Sequence, residues 1–227
     1  MAQVSSEFIF FKVKCDVEPE DPANELGEGL MRVFRATKHQ SGHHSSAWGR
    51  TVEDPNMLVW VIEWTDARCA ITSCLLKPFL VEEDQPITAI YATLSPPIGS
   101  TETLTKNPVT ELCFLAFPNN MSACETRQLD AELINFRTAL VVQLPQEMGP
   151  RSWSMGHVDR PSTVKHGTSP NGLATVHLLA VGWETMEAHD DAKKTKEFVD
   201  AIAPIREKLL LPPVPDMEVK HVRFQKL

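Results

Sequence analysis

The sequence predicts an α+β fold built from two βαββαβ modules, and three observations carry that expectation. One strand–turn–strand stretch is written twice. Ser46 to Trp64, with Trp48-Gly49-Arg50, Pro55 and the apolar run Met57 to Trp64, returns as Ser154-Met155-Gly156-His157, Pro161 and the apolar run Leu173 to Trp183. Gly49 and Gly156 lie 107 residues apart, Pro55 and Pro161 106, and Trp64 and Trp183 119, so the difference falls in the hairpin loop, where added length costs little. Strand-like and helix-like patterns also follow in the same order on either side of that stretch in both halves. Finally, 57–64 and 173–183 are apolar on both faces, so each sheet needs cover on two sides.

Taken in order, Glu7 to Val17 reads as a strand through Phe8, Ile9, Phe10, Phe11 and Val13, which are aromatic or β-branched. Pro19 and Pro22 break it, and Leu26, Leu30, Val33 and Phe34 recur at helical spacing over about 22–38. The twice-written strand pair follows. Thr65-Asp66 is placed to cap a helix over 67–82 carrying Cys69, Ile71, Leu75 and Phe79, with Pro78 inside it as a breaker. Ile87 to Leu94 is the fourth strand. Ile98 to Asn107 links the modules, whose boundaries are 1–100 and 108–227. The second module repeats the order: strand Thr110 to Phe117, helix 128–144, strands Ser152 to Val158 and Leu173 to Trp183, helix 187–210, stopped by Pro212-Pro213, and strand Met217 to Phe224.

Composition narrows the function. A net charge of −8 argues against nucleic acid, which wants clustered Lys and Arg. Neither long apolar run can span a bilayer, so no membrane partner is expected. Cys15, Cys69, Cys74, Cys113 and Cys124 form an odd set without a CxxC pair, and the first residues lack a secretory pattern, so a cytoplasmic protein with reduced thiols is expected. His39, His43 and His44 share a loop without a carboxylate or thiolate at ligand spacing, so no metal is expected, and no phosphate loop or dinucleotide fingerprint calls for a cofactor.

Two βαββαβ modules are two ferredoxin-like units, and laying their free sheet faces together gives a barrel with helices outside and a chamber between the sheets. Here the chain resembles the dimeric α+β barrel superfamily. Trp48-Gly49-Arg50, followed by an apolar strand ending in Glu63-Trp64, is similar to the stress-responsive barrel proteins, the olivetolic acid cyclase group and the antibiotic-biosynthesis monooxygenases. Where those families pair two chains, this one looks like a tandem fused pseudo-dimer, with further association of copies left open.

Strand alternation puts Leu58, Trp60, Ile62 and Trp64 on one face, and Thr175, His177, Leu179, Val181 and Trp183 on the matching face of the second copy. The resemblance implies that this set faces the chamber. His177 is then a proton-transfer group among apolar neighbours, or a core histidine bonded to a carbonyl. His157 stands where Arg50 stands in the first copy. The histidine reads as a second acid–base group or a partner of Asp159, and Arg50 as an oxyanion anchor or a salt-bridge residue beside Glu53 and Asp54. Trp48, Tyr91 and His221 complete the expected lining. The cyclase group carries a tyrosine and a histidine, and the haem-degrading members an axial histidine, on the helix after the aromatic strand; 67–84 has neither, and 184–210 offers only His189.

The expected function is a cofactor-independent biosynthetic enzyme (cyclase, isomerase, lyase or pericyclase) acting on an apolar polyketide- or terpenoid-like molecule. His177 and His157 would move protons while Trp48, Arg50, Leu58, Trp60, Trp64, Tyr91, Leu179, Trp183 and His221 hold the substrate. The alternatives are a non-catalytic binding barrel and a cofactor-free monooxygenase. The loop Ser162 to Asn171 is read as a lid.

Overall fold

The computed structural model describes residues 4–65, 73–82 and 85–227. In chain order its elements are β1 (Ser5–Lys12), α1 (Glu25–Thr37), β2 (His43–Thr51), β3 (Met57–Trp64), β4 (Thr88–Ser95), β5 (Val109–Pro118), α2 (Ala123–Thr138), β6 (Ser152–Arg160), β7 (Val164–Lys165), β8 (Leu173–Trp183), α3 (Met186–Ala192), α4 (Lys196–Lys208) and β9 (Lys220–Lys226).

Local chemistry explains where these elements depart from expectation. Asn24 starts α1 by accepting the Gly27 N–H at 2.6 Å. Ser122 and Glu125 close a capping box, so α2 begins before the expected 128, and a wider turn over Ala139–Gln143 extends it. Thr185 and Thr195 cap separate helices, which breaks the expected 187–210 helix in two. Of the expected 67–82 helix, 66–72 with Cys69 and Ile71 lie outside the described residues. The remainder forms two short 3-10 turns, Ser73–Leu75 and Lys77–Phe79, because Pro78 has no N–H to continue a helix.

The strands close on themselves. The order β4-β1-β3-β2 in the first half and β9-β5-β8-β6 in the second is joined where β4 pairs with β6 and β2 with β9. The result is an eight-stranded antiparallel barrel, with β7 added beside the start of β8. Phe10 of β1 and Phe114 of β5, on opposite sides of the ring, touch edge to face at 5.9 Å through its interior.

The expected chamber between the sheets is filled. Phe8, Phe10, Val59, Val61, Ile90, Phe114, Val176 and Leu178 pack there with Ala47, Ala92, Ala116, Ala174 and Ala180. An opening of about 80 Å³ at one end is edged by Val61, Glu63 and Ile98. Eight strands leave an interior just wide enough for modest side chains, so the largest residues turn outward. The face assignment is therefore corrected. Trp48, Leu58, Trp60, Trp64 and Tyr91 lie on the outer face of the first half under α1, packed with Leu30 and Phe34. Leu179 and Trp183 lie on the outer face of the second half, packed against α2 and α4. His177 is on that outer face too, edge to face with Phe117 at 5.3 Å.

No helix among the described residues is long and apolar enough to cross a membrane. Cys15, Cys74, Cys113 and Cys124 are free thiols.

A candidate active site between sheet and helices

Among the described residues the first half packs closely under its helix. Phe34 lies 4.3 Å from Trp60 and 6.0 Å from Trp48, ring to ring. The second half does not. Between β5, β6 and β8 on one side and α2, α3 and α4 on the other lies a cavity of about 360 Å³, walled by Leu115, Phe136, Leu179, Val181, Phe198 and Ile202. The volume suits a small ligand. Exposed Lys193 and Arg206 stand at its rim.

Four polar side chains meet in one corner of it. β5 delivers Glu111, β8 ends on Trp183, α3 carries His189 and β9 carries His221. Trp183 Nε1–H donates to Glu111 Oε2 at 3.1 Å. His189 Nε2 lies 3.3 Å from the same oxygen. His189 Nδ1 is 3.0 Å from His221 Nε2, and His221 Nδ1 is 2.6 Å from Glu53 Oε1. Glu53 is 45% exposed on its side chain, so a continuous line of exchangeable protons joins a buried carboxyl to water.

Burial dominates the electrostatics of this corner. Burial pushes the Glu111 carboxyl up from its ordinary range, partly opposed by the charges of His221 and Lys193 and by the Trp183 N–H. Burial pulls His189 down to about 3, helped by the positive charges of Lys193 and His221, so its ring is neutral near pH 7. His189 Nδ1 and His221 Nε2 share one hydrogen bond and His221 Nδ1 and Glu53 Oε1 another, while Glu111 Oε2 stands 3.3 Å from His189 Nε2. Glu111 Oε1 stays outside these contacts. Cys113 also lines the cavity, but burial first and then Glu111 raise its thiol well above the usual range, so it is no thiolate nucleophile.

The residues expected from sequence divide into three groups. Leu179, Trp183 and His221 do line a cavity, the one beneath the helices. Trp48, Leu58, Trp60, Trp64, Tyr91 and Arg50 are apart from it. Trp64 Nε1–H and Tyr91 O–H both donate to Glu7, at 2.8 and 2.6 Å. Arg50 spends its guanidinium on Glu20 (2.7 and 3.1 Å) and on the carbonyls of Val17 and Pro55, rather than on Glu53 or Asp54. His157 and His177 face each other across β6 and β8 with ring centroids 4.0 Å apart, six strand positions from Trp183 and thus roughly 20 Å away. Asp159 accepts from Thr93 at 2.7 Å.

The expected lid is pinned down instead. Buried His166 contacts the Pro212 carbonyl at 2.8 Å, Thr168 donates to the Leu211 carbonyl, and none of 162–171 edges the cavity. Glu111 and Glu53 were not anticipated from sequence. The available signal was an acid directly before the apolar run Leu112 to Phe117, matching Glu7 before Phe8 to Phe11.

His189 is the one histidine placed to serve as a haem ligand of the kind the resemblance implies. Both of its ring nitrogens are engaged, with His221 and with Glu111, so the residues present do not fit haem. Glu111, His189 and His221 each bring a ligand atom within 4.8 Å of the others, but through nitrogens already turned toward one another.

No protein-family model matches the chain, and no curated protein matches it by sequence. Solved structures do. A candidate chlorite dismutase superposes with a TM-score of 0.59 at 8% identity, covering 99% of this chain and 96% of that one. An anthrone oxidase-like protein gives 0.56 at 13% identity, covering 100% and 94%. A candidate monooxygenase from Fusobacterium nucleatum gives 0.53 at 11% identity, covering 100% and 93%. At these identities the likeness establishes the fold: this chain is an α+β protein of the ferredoxin-like barrel type.

Proposed function

We propose that this protein is an enzyme that takes a proton from an apolar, phenolic or enolisable small molecule held beneath α2–α4, and that the resulting anion reacts with O2 without a bound cofactor. The observation that carries the reading is a line of close polar contacts from Glu111 to Glu53, hydrogen-bonded from His189 onward, at the edge of an apolar cavity. Glu111 would accept the substrate proton and pass a proton toward His189, each later group hands one on, and Glu53 releases one to water. Lys193 and Arg206 at the rim favour the anion that forms. For a methylene next to an enolisable carbonyl the balance closes without a reductant: CH2 and O2 give C=O and H2O, the substrate supplying the electrons.

The oxygenase reading stands ahead of the cyclase or isomerase expectation because two structural neighbours carry oxidase and monooxygenase names. The acid–base work passes from His177 and His157 to Glu111, His189 and His221.

We also read the chain as two fused copies of one module, spanning 1–100 and 108–227. Supporting this, Glu7 pairs with Ile62 and Tyr91 as Glu111 pairs with Val181 and His221, and each glutamate accepts from the tryptophan that ends the neighbouring strand.

The test is O2 uptake by the purified chain with a panel of anthrones and polyphenols. Substrate-dependent uptake, absent in Glu111→Gln, supports the proposal. Equal turnover under nitrogen would return the protein to cyclisation or isomerisation, and tight binding without turnover would make it a carrier.

A further inference from the structure

We propose that Asp130, His157 and His177 form a binding site for a divalent transition-metal ion of the Zn2+ type, separate from the cavity. His177 is the reason to look here. Its side chain is 6% exposed, and neither Nδ1 nor Nε2 has a hydrogen-bond partner. Packing against Phe117 accounts for the ring's faces and edge but leaves both nitrogens unused. Buried polar groups are nearly always satisfied, so two idle nitrogens on one buried ring point to something that binds them.

The neighbours are the right kind. His157 sits directly across the β6–β8 ladder, its ring 4.0 Å from that of His177. Asp130, from α2, reaches over both and brings Oδ1 to 4.0 Å from His177 Nε2. That separation is too long for a hydrogen bond and somewhat longer than the roughly 3.4 Å between two ligands about 2.0–2.2 Å from a tetrahedral ion, a gap that turning the half-exposed Asp130 side chain closes. One ligand atom from each of the three lies within 4.8 Å of the others, so small rotations of two surface side chains complete the set. Two imidazoles and one carboxylate suit Zn2+, Co2+ and Ni2+. Exposed His157 and half-exposed Asp130 supply the entry path and leave a coordination position open toward water.

The other triad of this composition, in the cavity, has its histidine nitrogens turned inward on hydrogen bonds. Here they are idle. An ion at this place would tie α2 to the β6–β8 hairpin.

The experiment is calorimetric titration of the chelator-treated full chain with Zn2+, repeated with Co2+ while following visible absorption. The expected result is one ion per chain and the intense d–d bands of a four-coordinate Co2+ site. His157→Ala, a surface change that spares the core, should weaken Zn2+ at least roughly a hundredfold, and Asp130→Asn roughly tenfold. Absence of binding up to millimolar Zn2+ would overturn the proposal. So would binding unaltered in both variants, or binding lost in His221→Gln while kept in His157→Ala.

Discussion

Glu111 of β5 lies directly opposite His221 of β9, the position that Tyr91 of β4 holds opposite Glu7 of β1. The pairs set the two halves on different courses. Glu7 accepts from Trp64 and Tyr91, beneath a helix whose Phe34 packs against Trp60. Glu111 accepts from Trp183 but meets imidazoles where the phenol would be, and imidazoles both give and take protons. Among the described residues the first half is closely packed at this place, and the second holds a cavity.

Glu111→Gln should therefore separate chemistry from architecture. The amide oxygen can still accept the Trp183 N–H, so fold and ligand affinity should persist, while a carboxyl that hands protons on is gone. A fall in kcat of about 10²–10⁴-fold with little change in KM is expected. Glu53→Gln should cost less, since Glu53 is half-exposed and water there can replace it as the last acceptor. Equal losses in both would show that the line does not end at the surface.

The acid limb of the stability curve should report His189. Its folded pKa of about 3 lies below the ordinary 6.5, chiefly through burial, so the unfolded chain gains a proton that the native one refuses. Stability from this residue is intact above about pH 6.5 and lost as pH falls toward 3. Glu111, raised by burial, acts oppositely, favouring the native state at low pH and losing that advantage as pH rises past its unfolded value. Lys193, His221 and Asp190 also face His189. Urea midpoints at pH 4, 5, 6 and 7 should slope less in His189→Gln than in the parent; parallel slopes would refute the assignment.

The order of strands was legible in the sequence because Gly49 and Gly156, Pro55 and Pro161, and Trp64 and Trp183 recur around β2–β3 and β6–β8 at spacings that differ only by a longer hairpin. Which face of each strand looks inward was not. When both faces are apolar, alternation supplies two sets without ranking them, and the choice turns on interior width: Ala174 and Ala180 fit inside and Trp183 does not. Misassigning that face placed the cavity on the wrong side of the sheet. The relay escaped for another reason. Glu53, Glu111, His189 and His221 come from four separate segments, so only three-dimensional pairing assembles them. His157 and His177 were expected to face the chamber and instead meet on the outer face across β6 and β8, while Asp130 gave no sign from its place on a charged helix.

Arg50 is a structural clamp in this protein. Its guanidinium joins Glu20 to the carbonyls of Val17 and Pro55, tying the chain before α1 to the β2–β3 turn. Lysine keeps the charge but not the fork. Arg50→Lys should cost about 1–3 kcal/mol, or roughly 2–10 °C in Tm for a chain of this size, without altering ligand affinity in the cavity. Lost affinity at unchanged Tm would restore its role as a substrate anchor.

The barrel closes at two seams, and a glycine stands at each. Gly49 of β2 lies opposite Phe224 of β9, and Gly156 of β6 opposite Leu94 of β4. A Cβ at Gly49 would overlap the Arg223 carbonyl, and one at Gly156 the Thr93 carbonyl. Both obstacles are backbone within ladders, which cannot swing aside as a side chain would. Gly49→Ala and Gly156→Ala should therefore each destabilise by about 1–3 kcal/mol through overpacking, seen as a lower Tm and altered near-ultraviolet circular dichroism from the neighbouring tryptophans. Gly167 supplies the control, because nothing lies within 4 Å of a Cβ there, and its alanine variant should stay within about 0.5 kcal/mol of the parent. Seam variants as stable as Gly167→Ala would mean that the two halves do not meet through these strands, and the closed ring would have to be abandoned.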